Sequence, residues 1–122
     1  MDVVVTVPMA RWADWIDEGD LPGDEPDEAV CYSYHFWIPP TALPRISPGE
    51  RVYIVAHGKL RGYAPLTGLE HVCRLEPYRA CLLREGGAVA VTIARSIKGF
   101  QGWRYRSWDY SDERPFPEWR MP

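Results

Sequence analysis

The stretch Glu50–Leu69 constrains the fold more than any other part of the chain. It reads as two antiparallel strands joined near His57-Gly58-Lys59, entered through the turn Ser47-Pro48-Gly49 and closed at Gly68. Val52, Ile54 and Ala56 alternate with Arg51, Tyr53, Val55 and His57, while Leu60, Gly62, Ala64 and Leu66 alternate with Arg61, Tyr63 and Pro65. Alternation at period two places one set on a core face and the other on a more exposed face. A two-residue Gly58-Lys59 loop would put Ile54 opposite Tyr63. A three-residue loop over His57–Lys59 pairs Val52 with Ala64, Ile54 with Gly62 and Ala56 with Leu60, keeping one apolar face and setting Tyr53 opposite Tyr63. A one-residue slip would move the core residues into water, so the longer loop or a bulge is expected.

The rest of the chain reads as a single domain over residues 1–122, mostly β with one main helix. Twelve prolines and ten glycines favour many turns over long helices. The exception is Pro8–Glu18, where Met9, Trp12 and Ile16 fall at helical spacing, Pro8 suits a first turn and Gly19 a stop; Arg11 lies on its wetter face. Asp2–Val7, β-branched throughout from Val3, and the aromatic Ala29–Ile38 both read as strands. Thr41–Ser47 is expected to form a short helical turn. Strand character is expected to continue over Leu69–Leu75, with Tyr78–Leu83 and Ala88–Ala94 forming a second hairpin around Arg84-Glu85-Gly86-Gly87. Asp109–Pro122 reads as an irregular tail packed down by Phe116 and Trp119.

Charge is unevenly placed. Up to Pro44 there are one basic and nine acidic residues; from Arg45 onward there are thirteen basic and eight acidic. An acidic front and a basic back can steer a polyanion to one side of a domain. The basic half also holds the stretch Lys98–Trp108, Lys-Gly-Phe-Gln-Gly-Trp-Arg-Tyr-Arg-Ser-Trp, and Arg95–Trp108 contains four basic residues and no acid. On a strand, Trp103 and Tyr105 share one face and Arg104 and Arg106 the other. Aromatic faces beside guanidinium groups suit single-stranded or flipped bases, because every base has a π-face and every nucleotide a phosphate. The same alternation admits a second reading, in which Trp103 and Tyr105 close the core and the arginines face water.

Chemistry by motif is absent. There is no glycine-rich phosphate loop and no nucleophile elbow. The acidic loop Gly19–Glu28 lacks the spacing of a calcium loop, and His71-x-Cys73 matches no common zinc pattern. Cys31, Cys73 and Cys81 are odd in number, which favours reduced thiols. No apolar run approaches the roughly 18 residues of a membrane span, and the start Met1-Asp2-Val3 lacks a basic signal-peptide region, so a cytoplasmic protein without metal or cofactor is expected.

The hairpin pattern Gly-x-Arg-Val-Tyr-Ile-Val-x-x-Gly-Lys-Leu-x-Gly-Tyr-Ala, carried by Gly49, Arg51, Val52, Tyr53, Ile54, Gly58, Lys59, Gly62 and Tyr63, resembles the PUA-like superfamily and within it the ASCH group. The resemblance covers Asp2 to Ala94. It implies a small, partly open β-barrel with a helix against it, and a cleft beside that helix that takes RNA or modified bases. Some ASCH members hydrolyse acylated cytidine using a lysine, a threonine and a carboxylate. Here Pro8-Met9-Ala10-Arg11-Trp12 follows Val7, with no lysine or threonine, so that activity is not carried over. The expectation is a binding module rather than an enzyme, with no catalytic residues, holding RNA, single-stranded DNA or a modified base through Arg11, Lys59, Arg61, Lys98, Trp103, Arg104, Arg106 and Trp108. The alternatives are a nucleoside amidohydrolase using Lys59 or Lys98 with Glu70 or Glu76, and a phage or bacterial protein-interaction module.

Overall fold

The computed structural model describes residues 1–7, 12, 35–38, 43–70, 80–84 and 89–121. The fold is mostly β. The strands are β1 (Val3–Thr6), β2 (His35–Ile38), β3 (Arg51–Ala56), β4 (Lys59–Glu70), β5 (Ala80–Arg84), β6 (Val91–Thr92), β7 (Trp103–Tyr105) and β8 (Arg114–Pro115). Six of them form one sheet in the order β2-β5-β4-β3-β1-β7, and β6 pairs with β8 separately. β2 and β7 are the two edges and do not pair with each other, so this sheet is open rather than a closed barrel. The helix expected over Pro8–Glu18 lies outside the described residues except for Trp12, which is helical. The other helical element among them is the short 3-10 turn Tyr110–Asp112. Leu43–Ser47 is irregular, not helical; Pro44 offers no N–H to a helical ladder. No helix among the described residues is long and apolar enough to cross a membrane.

The central hairpin follows the expected register over its first half, with Val52 opposite Ala64, Tyr53 opposite Tyr63 and Ile54 opposite Gly62. A shift then falls between Ile54 and Val55, so that Val55 meets Leu60 and Ala56 meets Lys59. The loop is therefore two residues, His57-Gly58, and the extra residue sits in β4 as a bulge. His57 (φ 50) and Gly58 (φ 74) are both left-handed, the backbone that a tight hairpin turn of the primed type requires. The bulge reassigns two side chains. Leu60 joins the face of Tyr53 and Val55, and Arg61 enters the interior, where its Nε donates to the Ala56 carbonyl at 3.0 Å.

Both faces of the sheet are covered, which corrects the expectation of one exposed face. Val3, Val5, Val7, Val52, Ile54, Ala56, Leu66 and Leu82 pack with Trp12 on one side. Val4, Tyr53, Val55, Leu60, Ile93 and Trp108 pack on the other. A strand buried on both faces needs apolar residues at every position, and Val3-Val4-Val5 supplies them. β1 lies between β3, which it pairs in parallel, and β7, which it pairs antiparallel. The chain after Thr92 thus returns to cover the second face, and it carries the basic aromatic stretch with it.

Among the described residues, β5 and β6 do not pair as the expected second hairpin. β5 pairs instead with β2 and with the C-terminal half of β4. Val89 bridges Tyr63, and β6 pairs with β8. β4, at twelve residues, is long enough to serve both partners, β3 early and β5 late, with a register shift between Leu66 and Gly68.

Candidate functional site

The loop between β6 and β7 runs across the second face of the sheet. Its middle is tied to the hairpin turn, where the Ile97 N–H donates to the Gly58 carbonyl at 2.8 Å. Gly102 (φ 74) then turns the chain into β7. This path leaves an open cavity of about 270 Å³ between the loop and the strand, lined by Arg95, Ser96, Lys98, Phe100, Arg104 and Trp108 among others. A second cavity of about 260 Å³ lies beside it, lined by Ile93, Ala94, Arg95, Ser107, Trp108 and Asp112. Arg95, Ser107 and Trp108 line both, so the two form one groove.

Three cations front this groove. The Arg104 guanidinium stacks 4.3 Å above the Phe100 ring. Arg95 donates from Nη2 to Ser107 Oγ at 2.7 Å, and Lys98 is exposed. None of the three pairs with a carboxylate among the described residues; the ion pairs there use Met1 with Glu50, Arg51 with Glu113 and Arg106 with Asp2. No carboxylate among the described residues lines the larger cavity. In the larger cavity, positive charge over an aromatic floor attracts an anion with a flat apolar part.

The floor is held from below. Trp108 is buried at 7% exposure, meets Tyr53 edge-to-face with centroids 5.1 Å apart, and donates from Nε1 to Glu113 Oε2 at 2.9 Å. The Glu113 side chain, 7% exposed, also accepts from Tyr53 Oη at 2.5 Å and Arg51 Nη1 at 3.0 Å. Burial, then the bond to Glu113, pushes the Tyr53 hydroxyl far above its ordinary range, so it stays a donor. Arg51 lies against the rings of Tyr63 and Tyr110 at 4.1 and 4.2 Å. These groups are mutually satisfied and leave the groove its rigid base.

The expected binding residues separate into groups. Lys98, Arg104 and Trp108 come together in the groove. Arg106 is turned away: its Nε donates to Asp2 Oδ2 at 3.2 Å and its guanidinium covers Tyr110 at 4.2 Å. Trp103 is half-buried, packs against the first face and meets Tyr105 at 4.8 Å, and it lines neither cavity. Arg61 is placed in the interior at 0% exposure, donating to the carbonyls of Ala56, Trp119 and Met121. Lys59 is exposed on the hairpin, outside both cavities. Arg11 lies outside the described residues, as do the side chain of Glu70 and all of Glu76. Arg95, Phe100, Ser107 and Asp112 are groove residues that the sequence reading did not single out; the acid-free run from Arg95 to Trp108 was the available signal for the first three.

The described residues hold no group of three or more metal-binding side chains. Among known families, the model described as "Protein of unknown function (DUF1489)" matches residues 35–116. No curated protein and no solved structure matches the chain. Because that match spans β2 through β8 and more than half of the chain, the protein belongs to the DUF1489 family.

Proposed function

We propose that the protein is a PUA/ASCH-like binding module for single-stranded nucleic acid, which it takes in the groove between the 93–102 loop and β7. The observation that carries this reading is the set Arg95, Lys98 and Arg104, cations without carboxylate partners among the described residues, set over Phe100 and Trp108. Three other arginines among the described residues are committed elsewhere: Arg51 to Glu113, Arg106 to Asp2, Arg61 to backbone carbonyls. The groove cations contact phosphates, and the Arg104 guanidinium, already stacked on Phe100, offers its open face to a base. Nothing in this arrangement supplies a nucleophile with an adjacent base, so the activity is binding rather than catalysis.

Fluorescence anisotropy with a labelled oligothymidine tests this. Low-salt binding is expected, weaker for a duplex of equal length, whose stacked bases cannot reach the floor. Lys98→Ala with Arg104→Ala should weaken binding at least tenfold, while Lys59→Ala, outside the groove, should leave it unchanged. Equal losses from Lys59→Ala and from the groove pair would contradict the groove assignment.

A further inference from the structure

The two halves of the groove differ in chemistry. The larger cavity presents Lys98, Arg104 and Phe100 and, among the described residues, no carboxylate. The smaller one presents Arg95 and Asp112 beside Trp108, so a strong donor and a strong acceptor line one chamber. A purely phosphate-binding surface has no use for the acid, whose charge repels the ligand. Asp112 is held in place by the 3-10 turn: its Oδ2 accepts from the Asp109 N–H at 3.4 Å, and its own N–H donates to the Asp109 carbonyl at 3.0 Å. Oδ1 has no hydrogen-bond donor among the described residues and remains available. Arg95 is held by Ser107 at the ridge between the chambers and keeps further N–H groups for a ligand.

We infer that the smaller chamber is a guanine-selective subsite, with Asp112 as the carboxylate that reads the base and Arg95 as its donor partner. This rests on the single-stranded nucleic-acid reading. Guanine is the base that offers two adjacent donors, N1–H and N2–H, on the edge exposed in a single strand. A carboxylate accepts both with its two oxygens. Its O6 and N7 are acceptors, the groups an arginine fork matches best. Cytosine and adenine each give the carboxylate only an amino donor and set a ring acceptor beside it. Thymine and uracil give one ring N–H between two carbonyl oxygens, which repel the acid. A neighbouring nucleotide then lies over Arg104, with its phosphate toward Lys98.

The test uses three labelled oligothymidines of equal length: all thymine, one central guanine, and one central inosine, which lacks the N2 amino group. The guanine oligonucleotide should bind about tenfold more tightly than the thymine one, the discrimination of one good bidentate contact. Inosine should fall between them. Asp112→Asn keeps an oxygen for the Asp109 N–H and so the turn, but loses the paired acceptor. It should abolish the guanine preference while leaving thymine binding equal or tighter. Near-ultraviolet circular dichroism checks that the variant is folded. Equal binding of the three oligonucleotides by the unmodified protein, with Lys98 and Arg104 still required, would overturn the subsite and leave the groove standing. A guanine preference that survives Asp112→Asn would also overturn it. No binding of any oligonucleotide would remove both readings.

Discussion

Asp2 and Arg61 show how single polar side chains are committed in this interior. The Asp2 side chain, 5% exposed, accepts from the Arg51 N–H, Arg106 and the Tyr110 hydroxyl. Burial pushes its carboxyl up, but the bonds from Tyr110, the Arg51 N–H and Arg106 together outweigh burial and hold it below its ordinary range. A carboxylate with a lowered folded-state pKa binds fewer protons native than unfolded, so its contribution is complete above the unfolded value of about 4 and is lost as pH falls below it. Urea unfolding should therefore show stability declining below about pH 4, and Asp2→Asn should flatten that decline while lowering stability at neutral pH. Arg61 anchors the last turn of the chain, with Trp12 and Phe116 rings 5.2 and 5.6 Å from its guanidinium. Arg61→Ala takes a donor from the buried Ala56 carbonyl and from the part-buried carbonyls of Trp119 and Met121 and should cost about 2 kcal/mol, with faster proteolysis near Trp119 as its local signature. Trp103→Ala removes packing from a half-buried position and should cost about 2 kcal/mol, less than a fully buried tryptophan, without the loss of binding expected of a stacking platform.

At the scale of elements, the hairpin over β3 and β4 was the most legible part of the chain, because period-two alternation and a Gly-containing loop leave few registers. What alternation could not give was the bulge. Leu60 and Arg61 both read as members of the alternating pattern, and only packing against Trp12 on one face and Ile93 and Trp108 on the other decides which side each takes. The exposed face assigned to Tyr53 and Val55 was misread for a related reason: the residues that cover it lie roughly forty to fifty positions later. A similar distance hid the pairing of β5 with β2, and β5 joins β4, the strand before it, rather than the chain that follows it. The groove was legible as composition, an acid-free basic aromatic run, but its membership depended on the path of the 93–102 loop. Arg104 and Arg106 look equivalent by sequence, yet one faces the groove and the other is tied to Asp2. The turn itself gives a further expectation. Gly58 has φ 74 with nothing within 4 Å of an added Cβ, so Gly58→Ala carries a backbone cost alone, about 1–2 kcal/mol, measurable as a lowered urea midpoint with an unchanged slope.

At the scale of the molecule, two groups of cations stand apart among the described residues, one committed to partners and one gathered at the groove. Of the committed ones, Arg51 and Arg106 hold Glu113 and Asp2 on the side of the second face, while Arg61, on the Trp12 side, holds the carbonyls of Trp119 and Met121. The uncommitted ones, Arg95, Lys98 and Arg104, are gathered along the groove. Net charge is −3, so attraction of a polyanion depends on this local clustering rather than on the molecule's total. Counterion release makes the claim quantitative. Each phosphate contact on a single strand contributes about −0.7 to the slope of log affinity against log salt, so three contacts give a slope of about −2. The most direct measurement is that slope for an oligothymidine, taken for the unmodified protein and for Lys98→Ala with Arg104→Ala. The account expects about −2 for the first and about −0.7 for the second, with both proteins equally folded. An unchanged slope and affinity in the folded double variant would contradict it and turn attention to the groove as a protein-interaction surface.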